Sequence, residues 1–165
     1  HVERVYKNAL SISENEIEDL MHKKNIWYLE LMGEMDESEI LPGVVRILKE
    51  AQDLGLKIAL GSASKNAPLI LDQVSLASFF QIIVDGNVVT TSKPDPEVFI
   101  KGAEGIGLAS EECIVFEDSI SGIEAALAGG MKAVGIGHPD TLYKAHLNLD
   151  GFANVELQKD ILDRL

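Results

Sequence analysis

The fold is decided by residues 112–130, which read ECIVFEDSISGIEAALAGG. An apolar run at 113–116 stops at two acids, Glu117 and Asp118, and small residues then lead into a helical pattern. This order is typical of a buried parallel strand followed by a crossover helix. It predicts an α/β domain with both carboxylates at the carboxyl end of a strand, which is the edge of such sheets where ligands bind.

Glu117 and Asp118 have two interpretations at this point. Adjacent carboxylates at a strand end offer hard oxygen ligands that suit Mg²⁺. The same two acids could instead be a helix cap and a first-turn acid that stabilises the helix dipole. Capping acids are common, so the two acids taken alone favour the second interpretation. Other motifs in the chain are needed to distinguish the two interpretations.

Composition limits the partners that this chain can have. Its 165 residues suffice for one α/β domain with a small appendage, and 14 Lys and Arg against 27 Asp and Glu give a formal net charge of −13. That charge repels nucleic acid and anionic membranes, so neither is expected as a partner, and a phosphate would need locally placed cations. With no signal peptide, no membrane-length apolar run and a single cysteine, Cys113, the expected location is cytoplasmic.

Residues 1–40 are predicted to form a small helical unit, and residues 41–165 an α/β core. A capping box at 13–16 opens a helix with an apolar stripe on one face. Lys24 falls on that stripe, where it either snorkels from a packed surface or points into a cleft. The chain opens inside a helical pattern, so we expect a preceding segment. The stripe consists of Ile17, Leu20, Met21, Tyr28, Leu31, Met32 and Met35.

Two further polar segments follow predicted strands. Residues 61–66, GSASKN, supply hydroxyls, backbone N–H groups and a helix N-terminus, which together suit a phosphate, although Ser64 could be an ordinary helix cap. Lys93 lies in the loop TTSKPDP at 90–96, where the following proline restricts its backbone. It is therefore a candidate fixed cation, with a solvated surface charge as the alternative. Asp95 is predicted to cap a helix that runs to about Ala103.

Several other chemistries find no support in the sequence. The two Gly-x-Gly segments, at 105–107 and 135–137, lack the third glycine of a dinucleotide fingerprint, so no such cofactor is expected. The segment that contains Ser62 does not complete a Gly-x-Ser-x-Gly nucleophile pattern.

Taken in order, Ser62, Lys93 and the acids at 117–118 resemble the second, third and fourth motifs of the haloacid dehalogenase-like hydrolase superfamily. The segment FEDSxxGIxAA at 116–126 is a specific match, and SASKN at 62–66 with SKP at 92–94 is similar to the β-phosphoglucomutase branch. The resemblance runs to about Pro139. It implies a Rossmann-like three-layer α/β/α core with a small helical cap.

The resemblance also implies a role for each position. Ser62 and Lys93 match the groups that hold the transferring phosphoryl group, so they are the expected catalytic residues. Glu117 and Asp118 match the Mg²⁺ ligands, and Mg²⁺ is the expected cofactor. The expected substrate is a sugar phosphate. Its expected binding residues are Lys24, Asn25, Ser62, Ala63, Ser64, Lys65, Asn66 and Lys93.

The sequence departs from the family in one respect. Members open with a strand that carries Asp-x-Asp, in which the first Asp is the phosphorylated nucleophile and the second the general acid/base, and this sequence has no Asp-x-Asp. We therefore expect the core at 41–165 to lack the family's first, central strand, and the cap to lack its first helix.

For the intact protein the resemblance implies an enzyme, expected to be a monomer. It would interconvert β-D-glucose 1-phosphate and glucose 6-phosphate through an aspartyl phosphate and a bisphosphate. Two alternatives remain open. One is a sugar-phosphate phosphatase of the same superfamily, and the other is an inactive fragment that only binds metal and phosphate.

Overall fold

The computed structural model describes residues 13–165, in which helices alternate with short strands. The helices are α1 (Glu14–Gly33), α2 (Val44–Asp53), α3 (Ala67–Gln73), α4 (Glu97–Ile106) and α5 (Ile120–Ala128). The strands are β1 (Ala59–Gly61), β2 (Ile82–Val84), β3 (Ile114–Glu117), β4 (Lys132–Ile136) and β5 (Leu147–Leu149). None of the described helices combines the length and apolar composition that crossing a bilayer requires.

All strand pairing in the described chain is parallel. β1 pairs with β2, with Ala59 opposite Ile82, and a second sheet has the order β3-β4-β5, with Val115 opposite Ala133. Helix α4 packs on β1 and β2, and α5 packs on β3 and β4. Parallel strands joined by helices are the architecture that the sequence predicts, so the α/β class is confirmed.

The helix after the two acids is held tightly against its sheet. Ala125 and Ala126 of α5 are fully buried, and Ile123 is 1% exposed. Their small side chains let the helix backbone approach β3 and β4 closely, while Ile123 fills the remaining space of the core. This packing fixes the N-terminus of α5 at the carboxyl end of β3.

An apolar groove of about 520 Å³ separates the two sheets. Within residues 13–165, β1 pairs with β2 and with no other strand. Likewise, β3 pairs with β4 and with no other described strand. The predicted additional central strand would lie in this groove, and it stays a prediction. Side chains that line the groove include Ile58, Leu60, Phe99, Ile114, Phe116 and Phe152.

The apolar stripe of α1 is more exposed than the sequence pattern predicts. The capping box is present, since Ser13 and Glu16 each accept a hydrogen bond from the other's backbone N–H. Leu20 and Leu31, however, are 54% and 66% exposed, and Met32 is the one buried residue of the helix. Within residues 13–165, α1 packs mainly on α3, which covers one side of the helix and leaves much of the stripe exposed.

The ends of α4 also differ from the prediction. Pro96 rather than Asp95 occupies the N-cap position, although Asp95 Oδ1 still accepts a hydrogen bond from Glu97 N at 3.0 Å. The helix continues past Ala103 and ends at Gly107, whose left-handed backbone (φ +67°) favours glycine. After β5 the chain forms a wide π-helical turn, Leu157–Ile161, followed by a 3₁₀ turn, Leu162–Arg164.

Candidate functional site

Lys93 is held by its surroundings rather than solvated. Its Nζ donates a hydrogen bond to Glu117 Oε2 at 2.6 Å, and the two side chains are only 16% and 9% exposed. The same ammonium lies 4.7 Å from the centre of the Phe99 ring, within the range of a cation–π contact. Lys93 is therefore a fixed cation at the carboxyl end of β3.

Glu117 is the last residue of β3, and both of its carboxylate oxygens are engaged. While Oε2 faces Lys93, Oε1 accepts hydrogen bonds from Ser119 Oγ at 2.8 Å and Ser119 N at 3.2 Å. Burial acts to raise the pKa of Glu117, but the hydrogen bond and charge of Lys93, together with Ser119 and Asp118, outweigh it and lower the pKa. Glu117 is therefore an anion at neutral pH.

Ser119, not an acid, caps helix α5. Its Oγ accepts a hydrogen bond from Gly122 N at 3.0 Å, as an N-cap side chain does. A Cβ at Gly122 would overlap the carboxyl group of Glu117, so this position needs glycine. The interpretation of Glu117 and Asp118 as a helix cap and a first-turn acid is therefore wrong, because Ser119 caps the helix and its first turn contains no acid.

Asp118 is exposed beside the half-buried Glu117. Mg²⁺ is commonly bound by one or two carboxylates together with water and substrate phosphate. Among residues 13–165 no group of three or more His, Cys, Asp or Glu side chains is placed to hold a metal. The pair at 117–118 therefore fits an ion that shares its coordination with water and phosphate, and does not fit a closed protein cage.

Ser62 continues the pairing of β1 with β2, because its N–H donates to Val84 O at 2.8 Å. Its Oγ accepts from Ser64 N at 3.1 Å, and Ser64 Oγ in turn accepts from Asn66 N at 3.2 Å. Helix α3 has Asn66 at its N-cap position, so the interpretation of Ser64 as the helix cap is wrong. The serines instead shape the loop that leads from β1 into α3.

A polar cavity of about 190 Å³ brings several predicted residues together. Ser62, Ala63 and Lys65 line it from one loop, and Lys93 lines it from the other. Two lysines and several hydroxyl residues in one cavity lining suit an anion in an otherwise acidic protein. Ser64 and Asn66 do not line this cavity. Its other lining residues are Gly86, Val89, Thr90, Thr91, Ser92 and Val98.

Lys24 and Asn25 lie in the middle of α1 and are exposed. Helix α1 packs on α3, which begins directly after Asn66. In the described chain neither side chain makes a hydrogen bond or ion pair with the cavity loops. The structure therefore places their helix beside the loop at 62–66 but does not bring the two residues into the cavity.

Glu97 was not singled out from the sequence, yet it organises the loop before Lys93. Its Oε2 accepts hydrogen bonds from Thr91 N at 2.7 Å and from Thr90 N and Oγ1, each at 2.9 Å. Lys101 pairs with its other oxygen at 2.6 Å. The Lys101 hydrogen bond, followed by those from the two threonines, lowers the pKa of Glu97 to about 2. In the sequence it reads as an ordinary first-turn acid.

The chain resembles several known proteins. A family model described as haloacid dehalogenase-like hydrolase matches residues 3–136. The β-phosphoglucomutase of Bacillus subtilis (strain 168) is 35% identical over 145 residues, which cover 88% of this chain and 62% of that protein. The phosphorylated carbohydrates phosphatase of Thermotoga maritima is 33% identical over 125 residues, which cover 72% of this chain and 58% of that protein. The chain thus spans less than two thirds of the length of either relative.

A solved structure shows the same likeness in three dimensions. The crystal structure of β-phosphoglucomutase (pgmB) from Clostridium difficile matches with a TM-score of 0.88 and 32% sequence identity. The match covers 98% of this chain and 72% of the crystallised one. It therefore includes both sheets and α1, the helix that carries Lys24 and Asn25.

Proposed function

Because this chain belongs to the haloacid dehalogenase-like hydrolase family, we propose that it acts in phosphoryl transfer to and from a sugar phosphate. The observation that carries the proposal is the position of Lys93, held 2.6 Å from Glu117 beside the exposed Asp118. A fixed cation can neutralise a dianionic phosphoryl group, and an adjacent pair of carboxylates can bind a hard metal ion. Residues 1–40 are proposed as part of a cap and residues 41–165 as the core.

Phosphoryl transfer depends mainly on positioning and charge neutralisation. The Lys93 ammonium is proposed to neutralise one oxygen of the transferring group, since the lysine is already immobilised by Glu117 and Phe99. Ser62 Oγ is proposed to donate a hydrogen bond to a second oxygen. It already accepts a hydrogen bond from Ser64 N, while its own proton has no acceptor among the described residues. The two groups line the same cavity.

Asp118 is proposed as the principal Mg²⁺ ligand, with Glu117 beside it. Bound Mg²⁺ supplies neutralisation of the negative charge on the phosphoryl oxygens. Both oxygens of Glu117 are engaged by Lys93 and Ser119, so its main contribution is to fix the lysine and to add negative charge next to the ion. Asp118 is exposed and can turn towards a metal.

The favoured reaction is the interconversion of β-D-glucose 1-phosphate and glucose 6-phosphate. Two β-phosphoglucomutases, one compared by sequence and one by structure, support it. Loop residues 62–66 and cap residues Lys24 and Asn25 are proposed to contact the sugar phosphate. Hydrolysis of a sugar phosphate is the second candidate, and the similarity to a phosphorylated carbohydrates phosphatase favours it.

An assay of both products tests the proposal. The complete natural protein that contains this chain is given β-D-glucose 1-phosphate, Mg²⁺ and a trace of the bisphosphate, and glucose 6-phosphate and inorganic phosphate are measured separately. We expect glucose 6-phosphate to form faster than phosphate, Lys93→Met to abolish its formation, and the exposed control Lys49→Met to behave like the wild type. Phosphate as the sole product would establish the hydrolase instead, and no product at all would overturn the proposal.

A further inference from the structure

Asp85 is the one charged residue that is buried in the described chain, and it lies outside the proposed catalytic groups. It follows β2 and is 6% exposed. Both of its carboxylate oxygens accept hydrogen bonds from Asn87, Oδ1 from the backbone N at 2.8 Å and Oδ2 from Nδ2 at 3.0 Å. A buried carboxylate is costly unless it is hydrogen-bonded, and here its partners come from one exposed asparagine.

Residues 85–87 hold the backbone of the neighbouring loop at two successive carbonyls. Asn87 Nδ2 also donates to Lys65 O at 3.1 Å, and Gly86 N donates to Ser64 O at 3.2 Å. At Gly86 a Cβ would overlap Ala63 O and lie 3.1 Å from Lys65 N, so the two segments are in close backbone contact. The orientation of the Asn87 amide, set by Asp85, thus fixes the backbone of Lys65.

We propose that Asp85 and Asn87 are positioning residues that fix the loop at 62–66 for binding of the sugar phosphate. Asp85 orients the Asn87 amide, and the amide holds Lys65, which lines the cavity opposite Lys93. The inference rests on the proposed function, in which this loop contacts the sugar part of the substrate. Neither residue touches the substrate itself.

The arrangement predicts that truncation of Asn87 weakens the binding of a sugar phosphate selectively. Asn87 is exposed, so its truncation leaves the apolar core intact. Of the groups proposed to hold the transferring phosphoryl group, Ser62 begins the loop at 62–66 but is anchored to β2 through Val84 O, and Lys93 is tied to Glu117 at the end of β3. Loosening the loop should therefore weaken binding of a sugar phosphate more than transfer from a small aryl phosphate, which makes no use of the sugar contacts.

The test compares Asn87→Ala and Asn87→Asp with Asn154→Ala in the complete protein. Asn154 is an exposed asparagine whose side chain makes no hydrogen bond in the described chain. We expect KM for β-D-glucose 1-phosphate to rise by about three- to tenfold in Asn87→Ala, the effect expected from losing the hydrogen bond that holds Lys65 O. Turnover of p-nitrophenyl phosphate should not change. Asn87→Asp should be worse, because it places a second carboxylate against Asp85.

Hydrogen exchange separates this inference from the proposed function. In Asn87→Ala the amides of Ser64 and Asn66, both hydrogen-bonded within the loop, should exchange faster than in the wild type. Unchanged exchange, or equal losses on the sugar and aryl substrates, would overturn the positioning role. If the wild type fails to turn over any sugar phosphate, the proposed function is wrong, whereas the exchange result still decides whether Asn87 orders the loop.

Discussion

Lys93 and Glu117 form an ion pair that joins the carboxyl ends of the two sheets. The residues are 24 positions apart, and Nζ lies 2.6 Å from Oε2. Lys93 follows β2 of the first sheet, while Glu117 ends β3 of the second, so the pair connects segments on opposite sides of the apolar groove. The pair therefore fixes the position of Lys93 relative to the carboxyl end of β3.

Removal of one partner should cost more than removal of both. Lys93→Met leaves the Glu117 carboxylate largely buried without its cation, and breaking a buried pair in this way costs about 3–5 kcal/mol. The double variant Lys93→Met/Glu117→Gln should recover part of that loss in urea unfolding. If the free energies of unfolding of the single variants simply add in the double variant, the two side chains are not coupled.

Asp118→Asn should abolish Mg²⁺-dependent activity, because it removes an anionic oxygen from a site for a hard cation. Asp72→Asn is the matched control, since Asp72 is an exposed aspartate on α3. Calorimetric titration with Mg²⁺ should show weaker binding in Asp118→Asn and wild-type binding in the control. Unchanged affinity in Asp118→Asn would make the assignment of the metal ligand wrong.

Glu97→Gln should loosen the loop that leads to Lys93. The charge on Glu97 holds the amides of Thr90 and Thr91, so these two should exchange hydrogen faster in the variant. The exposed Glu104→Gln, on the same helix, should leave them protected. Similar exchange in the wild type and Glu97→Gln would show that the carboxylate does not hold the loop.

The pH dependence of this contact has a definite sign. The pKa of Glu97 is lowered from 4.5 to about 2, first by Lys101 and then by the threonine amides. Because the native state favours the carboxylate, the contribution to stability is complete above pH 4.5 and is lost as the pH falls towards 2. Protection of Thr90 and Thr91, relative to unstructured amides, should therefore decline over that window, and constant protection down to pH 2 would contradict the assignment.

Lys24→Ala should impair turnover of a sugar phosphate more than hydrolysis of p-nitrophenyl phosphate, because the cap lysine is proposed to serve the sugar end of the substrate. Lys23→Ala, the exposed neighbour on α1, is the control. Kinetics on both substrates give the comparison. Equal losses in Lys24→Ala would instead make Lys24 a structural residue of the helix.

The fold could be predicted because the local sequence patterns favour the same strands and helices that long-range packing stabilises. The strand, the two acids and the helix at 112–130 occur in the predicted order. The true cap of α5 could not be identified, since Glu117, Asp118 and Ser119 are adjacent and all three can accept from a helix N-terminus. In the structure Ser119 accepts from Gly122 N, while Glu117 is engaged by Lys93 from a distant loop.

The residue types of the site could be predicted from the sequence, but the contacts between those residues could not. Lys93 is recognisable as a constrained cation, yet its partners Glu117 and Phe99 depend on tertiary packing. Asn87 and Glu97 act through backbone groups of neighbouring loops, and a sequence contains no signal for which carbonyl or amide such side chains reach. Local sequence patterns therefore do not identify the residues that position a site.

We propose that a phosphoryl group is transferred between sugar hydroxyls at the site formed by Ser62, Lys93 and Asp118. Turnover of β-D-glucose 1-phosphate by the complete protein in ¹⁸O-labelled water, followed by mass spectrometry of the products, tests it most directly. We predict glucose 6-phosphate whose phosphate carries no ¹⁸O, because water is not the acceptor. Inorganic phosphate that carries one ¹⁸O per molecule, with no glucose 6-phosphate, would contradict the claim.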